Sequence, residues 1–113
     1  MSKFQEKLAA EGYCDSRCAG FCATATSLPN GEYGAVLLCV KGHTLNIYDT
    51  DIKSNVGALL YQIDLKKISG LKIKAGFLSQ YLKFNHLNFG YSFTNFVGVK
   101  PALKVIAEEA AKR

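Results

Sequence analysis

Between residues 18 and 94 the apolar and aromatic positions fall into short runs, each closed by glycine, asparagine or aspartate; after residue 101 the apolar spacing lengthens to that of a helix. Runs of about five to nine residues rich in threonine, valine and aromatics are what half-buried strands require, because successive side chains point to opposite faces. The first run, 18–26, ends at Pro29-Asn30-Gly31-Glu32. Asn-Gly marks a reversal there, since both residues accept positive φ. The second, 34–40, is apolar at every position and is expected to be covered on both faces. Lys41-Gly42-His43 turns the chain into a third run, 44–49, with Leu45 and Ile47 facing inward. A polar loop leads to a fourth, 57–63, ended by Asp64. The fifth, 68–75, sets Leu71, Ile73 and Ala75 on one side and Lys72 and Lys74 on the other. Gly76 reverses the chain into a sixth, 77–84, and Asn85-His86-Leu87-Asn88 joins it to a seventh, 89–93. The alternate positions Phe89, Tyr91 and Phe93 of that last run form an aromatic stripe expected to lie in the core.

Two segments carry helical spacing instead. Residues 2–11 predict a short amphipathic helix, with Ser2 able to cap it, Phe4 and Leu8 on one face, and Gly12 as its stop. Residues 101–112 predict a closing helix: Pro101 suits its first turn, and Leu103, Ile106, Ala107 and Ala110 follow at i, i+3, i+4 and i+7. Lys112 and Arg113 stand where the helix dipole favours cations. No repeat or low-complexity linker interrupts the pattern. A single domain over 1–113 is expected, with 1–12 an amino-terminal helical appendage, 18–94 the strands and 101–112 the closing helix.

Composition agrees with one core. The 113 residues are 49% hydrophobic and 20% charged, far from the apolar-poor mixtures that stay disordered. No stretch of about 18 apolar residues occurs, and no long apolar run follows the first lysines, so a soluble, cytoplasmic protein is expected. The net charge of +5 is nearly all lysine, with arginine only at positions 17 and 113. Scarce arginine and core-bound aromatics make nucleic acid an unlikely ligand, because guanidinium groups and exposed rings are the usual readers of phosphates and bases.

Cys14, Cys18, Cys22 and Cys39 lack the two-residue gap that orients paired zinc ligands, and read as buried structural thiols with no metal expected. Arg17 beside Cys18 is the one local cation that could activate a thiol. His43 and His86 both fall in expected turns and read as surface histidines. No Gly-rich strand-to-helix loop surrounds Gly90 or Gly98. No cofactor and no catalytic constellation is identified.

Seven consecutive strands joined mostly by tight turns and followed by one amphipathic helix resemble the pleckstrin-homology-like superfamily. Its stand-alone bacterial and GRAM-type members look most similar, through the phrase Tyr61-Gln62-Ile63-Asp64-Leu65-Lys66-Lys67-Ile68-Ser69-Gly70-Leu71 ahead of basic and aromatic hairpins. The resemblance implies a mainly β fold: a seven-stranded, partly open barrel of two antiparallel sheets, capped by the carboxyl-terminal α-helix that sets Leu103 and Ile106 over the apolar strand faces. The chain departs from the family in having no tryptophan. The loop between its first two strands, Ser27-Leu28-Pro29-Asn30-Gly31-Glu32-Tyr33, also lacks the basic residues of the family's inositol-phosphate site. A non-enzymatic interaction module, binding a protein partner or its own copies through strand edges, leads the readings. Peripheral binding to anionic lipid through Lys66, Lys67, Lys72, Lys74 and Lys83 is the second, and a thiol-based redox or metal-binding protein the third.

Overall fold

The computed structural model describes residues 10–14, 20–50, 56–76, 79–96 and 99–112. Cys18, Arg17 and nearly all of the expected amino-terminal helix lie outside them. The strands are β1 (Gly20–Ser27), β2 (Gly34–Lys41), β3 (Thr44–Thr50), β4 (Val56–Asp64), β5 (Ser69–Ala75), β6 (Gln80–His86) and β7 (Phe89–Thr94), and the closing helix α1 is Lys100–Ala111. A 3-10 turn, Leu65–Lys67, links β4 to β5. All pairings are antiparallel, in the order β4-β3-β2-β1-β7-β6-β5. β1 pairs β2 on one side and β7 on the other, so the two expected sheets run together into one open sheet of seven strands.

Two tight turns show how the sequence sets register. Lys41 pairs Thr44, and the two-residue reversal between them places positive φ at Gly42, a conformation glycine accepts without a Cβ clash. His86 pairs Phe89, and both central residues, Leu87 at φ 50° and Asn88 at φ 65°, are left-handed. The last hairpin is therefore tighter than the sequence implied. Asn85 and His86 belong to β6, and His86 is only 8% exposed, its ring 6.4 Å from that of Tyr91. The reading of His86 as a surface residue is corrected: it closes the strand rather than the turn. β6 is Gln80–His86; its expected start at residues 77 and 78 lies outside the described residues, and the backbone N–H of Gly76 bonds the Ser79 carbonyl at 3.1 Å.

The core lies between the inner face of the curved sheet and α1. Phe21, Ala23 and Ala25 of β1, Leu82 and Phe84 of β6, and Tyr91 and Phe93 of β7 are buried, as the aromatic stripe predicted, while Phe89 is half-buried. Ala102, Leu103, Ile106 and Ala110 form the buried face of α1, which packs on the Leu65–Lys67 turn, β2 and β5. On the side that Leu71, Ile73 and Ala75 share, Leu71 and Ile73 are half-buried and Ala75, at the end of β5, is exposed.

Burial of both faces of β2 has a local cause. Residues 36–40 are all buried, and residues 12–14 cover the outer side. Tyr13 sits edge-on to Tyr48, ring centroids 5.4 Å apart, and Lys41 Nζ donates to the Gly12 carbonyl at 3.1 Å. Cys14 is buried and hydrogen-bonded with Cys39. Asn46 pairs Cys39 across the ladder, shares its face and is buried too, its Oδ1 accepting from Gln62 Nε2 at 3.2 Å.

Candidate functional site

The two ends of the open sheet differ in chemistry. β5 carries Lys72 and Lys74, charges that discourage pairing with foreign strands, and a register shift between Ser69 and Lys72. β4 presents Val-Gly-Ala-Leu-Leu-Tyr-Gln over residues 56–62, with no charge. Gly57, Ala58 and Leu59 are exposed, Leu59 by 46%. Two register shifts around Tyr48 interrupt the pairing of this half of β4, whereas Thr44–Ile47 of β3 pairs regularly with residues 61–64. Lys66 and Lys67 stand exposed just beyond the strand, where the Asp64 carboxylate accepts the Lys66 backbone N–H at 3.0 Å.

β4 also holds the loop between β1 and β2. The Tyr61 hydroxyl donates to Glu32 Oε1 at 2.7 Å and accepts the Asn30 backbone N–H at 3.1 Å. The hydrogen bond from Tyr61 holds the Glu32 carboxyl below the usual carboxylate range, and partial burial followed by that same bond raises the Tyr61 hydroxyl. Tyr61→Phe should return Glu32 toward the ordinary carboxylate range, read as an upward shift of its titration by carboxyl-carbon NMR. An unchanged titration would assign the effect to the Glu32 and Asn30 backbone groups instead.

On the outer face of β5, β6 and β7 the structure brings some of the expected lysines together. Lys72 pairs directly with Lys83, Lys83 with Ser92, and Ser92 with Ser27 of β1, so four polar residues cross four strands in one row. They line an open groove of about 420 Å³. Gly70, at φ 63°, and Gly90 leave the space that Asn85 fills: a Cβ on either would lie 2.8 Å from its Nδ2 or 3.3 Å from its Oδ1. Lys83 Nζ also leans over the Tyr81 ring, 5.2 Å from its centroid. Lys74 shares the face but folds beside Gly76, and Lys66 and Lys67 do not line the groove.

The thiols and histidines are arranged otherwise. Burial pushes the Cys39 thiol up to about 12, with Cys14 adding to the rise, and burial raises Cys22 as well. His43 is exposed on the turn between β2 and β3, away from His86 at the end of β6. Among the described residues no group of His, Cys, Asp or Glu is placed to hold a metal ion. No helix among them is long and apolar enough to cross a membrane.

Sequence reasoning named the lysines but missed Asn85, Ser92, Gly70 and Gly90, because only pairing register makes them neighbours. It also missed the Tyr61–Glu32 bond, whose partners lie 29 residues apart.

No protein-family model matches the sequence, nor does any curated protein. Solved structures do resemble the fold. The pleckstrin homology domain of ArhGAP27 aligns with a TM-score of 0.57 at 15% identity, covering 80% of this chain and 94% of that one. Inner Membrane Complex Sub-compartment Protein 3 (ISP3) from Toxoplasma gondii aligns with a TM-score of 0.50 at 15% identity, covering 99% of this chain and 87% of that one. With seven antiparallel strands, one closing helix and these structural neighbours, the chain has the pleckstrin-homology-like fold.

Proposed function

We propose that this protein is a non-enzymatic interaction module whose β4 edge receives an extended segment of another protein. The observation that carries this reading is the exposed, uncharged edge at residues 56–62, in a sheet whose opposite edge is guarded by lysines. Backbone N–H and C=O groups along an edge strand supply affinity to an added strand, and alternate side chains supply specificity. Catalysis finds little support. A nucleophilic thiol needs a depressed pKa, and those of Cys22 and Cys39 move the other way.

Charge and shape favour a foreign segment over a second copy. Two copies at +5 repel, and a bulged, twisted edge pairs poorly with another carrying the same distortion, whereas an extended peptide can follow the twist. The exposed Lys66 and Lys67 beyond the strand suit an acidic residue at one end of that peptide. The occupant is thus an extended segment with apolar residues at alternate positions and an acidic end.

A peptide of alternating valine and threonine ending in two glutamates should bind saturably by fluorescence anisotropy and protect β4 amides from hydrogen exchange. Leu59→Lys, at a position exposed enough to spare the fold, should weaken it about tenfold. Binding indifferent to that substitution would refute the edge. A dimer by light scattering, abolished by the same substitution, would replace the foreign segment with a second copy.

A further inference from the structure

We infer that the groove across β5, β6 and β7 is a binding site for a compact phosphate-bearing anion, held by Lys72 and Lys83. This rests on a different surface from the β4 edge and stands or falls separately from it. Like charges directly opposite on neighbouring strands repel, and a sheet ordinarily places a carboxylate or a neutral residue across from a lysine. Here Lys72 faces Lys83, and no carboxylate among the described residues pairs with either. Both residues line the same groove, with the Lys83 Nζ resting over the neighbouring Tyr81 ring.

The lining beside the lysines supplies matching hydrogen-bond donors. Ser92 pairs Lys83 in register, so its hydroxyl lies on the same face. Asn85 adds an amide, seated in the space that Gly70 and Gly90 leave along the groove. Ser27 is excluded as a donor, because its hydroxyl already donates to the Gly90 carbonyl at 2.8 Å. Two ammonium groups, a hydroxyl and an amide suit a multiply charged tetrahedral anion better than a single carboxylate, since each charge-assisted contact engages a separate oxygen. At about 420 Å³ the groove has room for a phosphate with a small substituent.

The phosphate could belong to a soluble small molecule or to a lipid headgroup. Leu87, two residues beyond Asn85 at the hairpin tip, separates these sources, because it is 81% exposed and would enter a bilayer only in the second case. Pyrophosphate titrated into isotope-labelled protein should shift the amides of Lys72, Lys83 and Ser92 saturably. The double substitution Lys72→Gln and Lys83→Gln should weaken this about tenfold or more, while Lys104→Gln, on α1, leaves it unchanged. The double variant removes a repulsion and should melt no earlier than the parent in phosphate-free buffer. Sedimentation with phosphatidic acid vesicles, lost both in the double variant and in Leu87→Ser, assigns a lipid headgroup; pyrophosphate binding without such sedimentation assigns a soluble ligand. Absence of any saturable shift, or a shift indifferent to the double substitution, overturns the site.

Discussion

Phe93→Ala should lower the free energy of unfolding by about 3–5 kcal/mol, a large share of what a domain of this size possesses. Phe93 is fully buried, pairs Leu82 and Ala25 on the strands to either side, and lies 6.1 Å from the Phe84 ring. β7 is the strand through which β1 joins β6, so a void there loosens the junction of the two halves of the sheet. Thermal melts should show a fall of about 10–25 °C. Phe89→Ala, removing a half-buried ring from the same strand, should cost less than half as much. Equal losses would mean that the stripe is not graded by burial and that the core is drawn in the wrong place.

Raising the pH from 9 to 12 should remove roughly 3 kcal/mol of stability through Cys39. The folded protein holds this thiol protonated up to about 12, chiefly through burial, whereas the unfolded chain releases the proton near the ordinary value of 9.0. Below pH 9 both states keep the proton and the contribution is whole. Above it the unfolded state gains by ionising, and the contribution is lost as pH climbs through the folded value. Urea melts of the parent and of Cys39→Ala across this range isolate the effect, because tyrosines that titrate in the same window are common to both proteins. Parallel pH profiles for the two would show that Cys39 ionises as readily in the folded state.

Much of the fold was legible because its periodicities are local. The alternation in 89–93, the unbroken apolar run of β2 and the i, i+3, i+4 spacing of α1 each announce an element and its buried face without reference to the rest of the chain. His86 misled because it stands between Asn85 and Leu87-Asn88, a string that reads as a four-residue turn. Only the left-handed conformations of Leu87 and Asn88 draw the turn tight enough to leave His86 in the strand. The burial of Asn46 was not legible for another reason. Alternation gives the face a residue occupies but not what covers that face, and residues 12–14 cover it here. The candidate sites were legible in kind more than in place. The lysines of β5 and β6 stand out in the sequence, yet whether Lys72 meets Lys83 or slides past it is a matter of register, displaced here by the irregularity after Ser69.

The position of β1 also sets the order of events in folding. β1, β2, β3 and β4 form one run of neighbouring hairpins and β5, β6 and β7 another, so each can zip from its own turns. β1 must also find β7 across most of the chain, bringing Thr24 to Thr94 and Ser27 to Ser92. Closing so long a loop before any contact rewards it is the slow step in such topologies. The two meanders are therefore expected to form early and independently, and the folding rate to be set by how fast one strand, made near the start of the chain, meets its partner near the end.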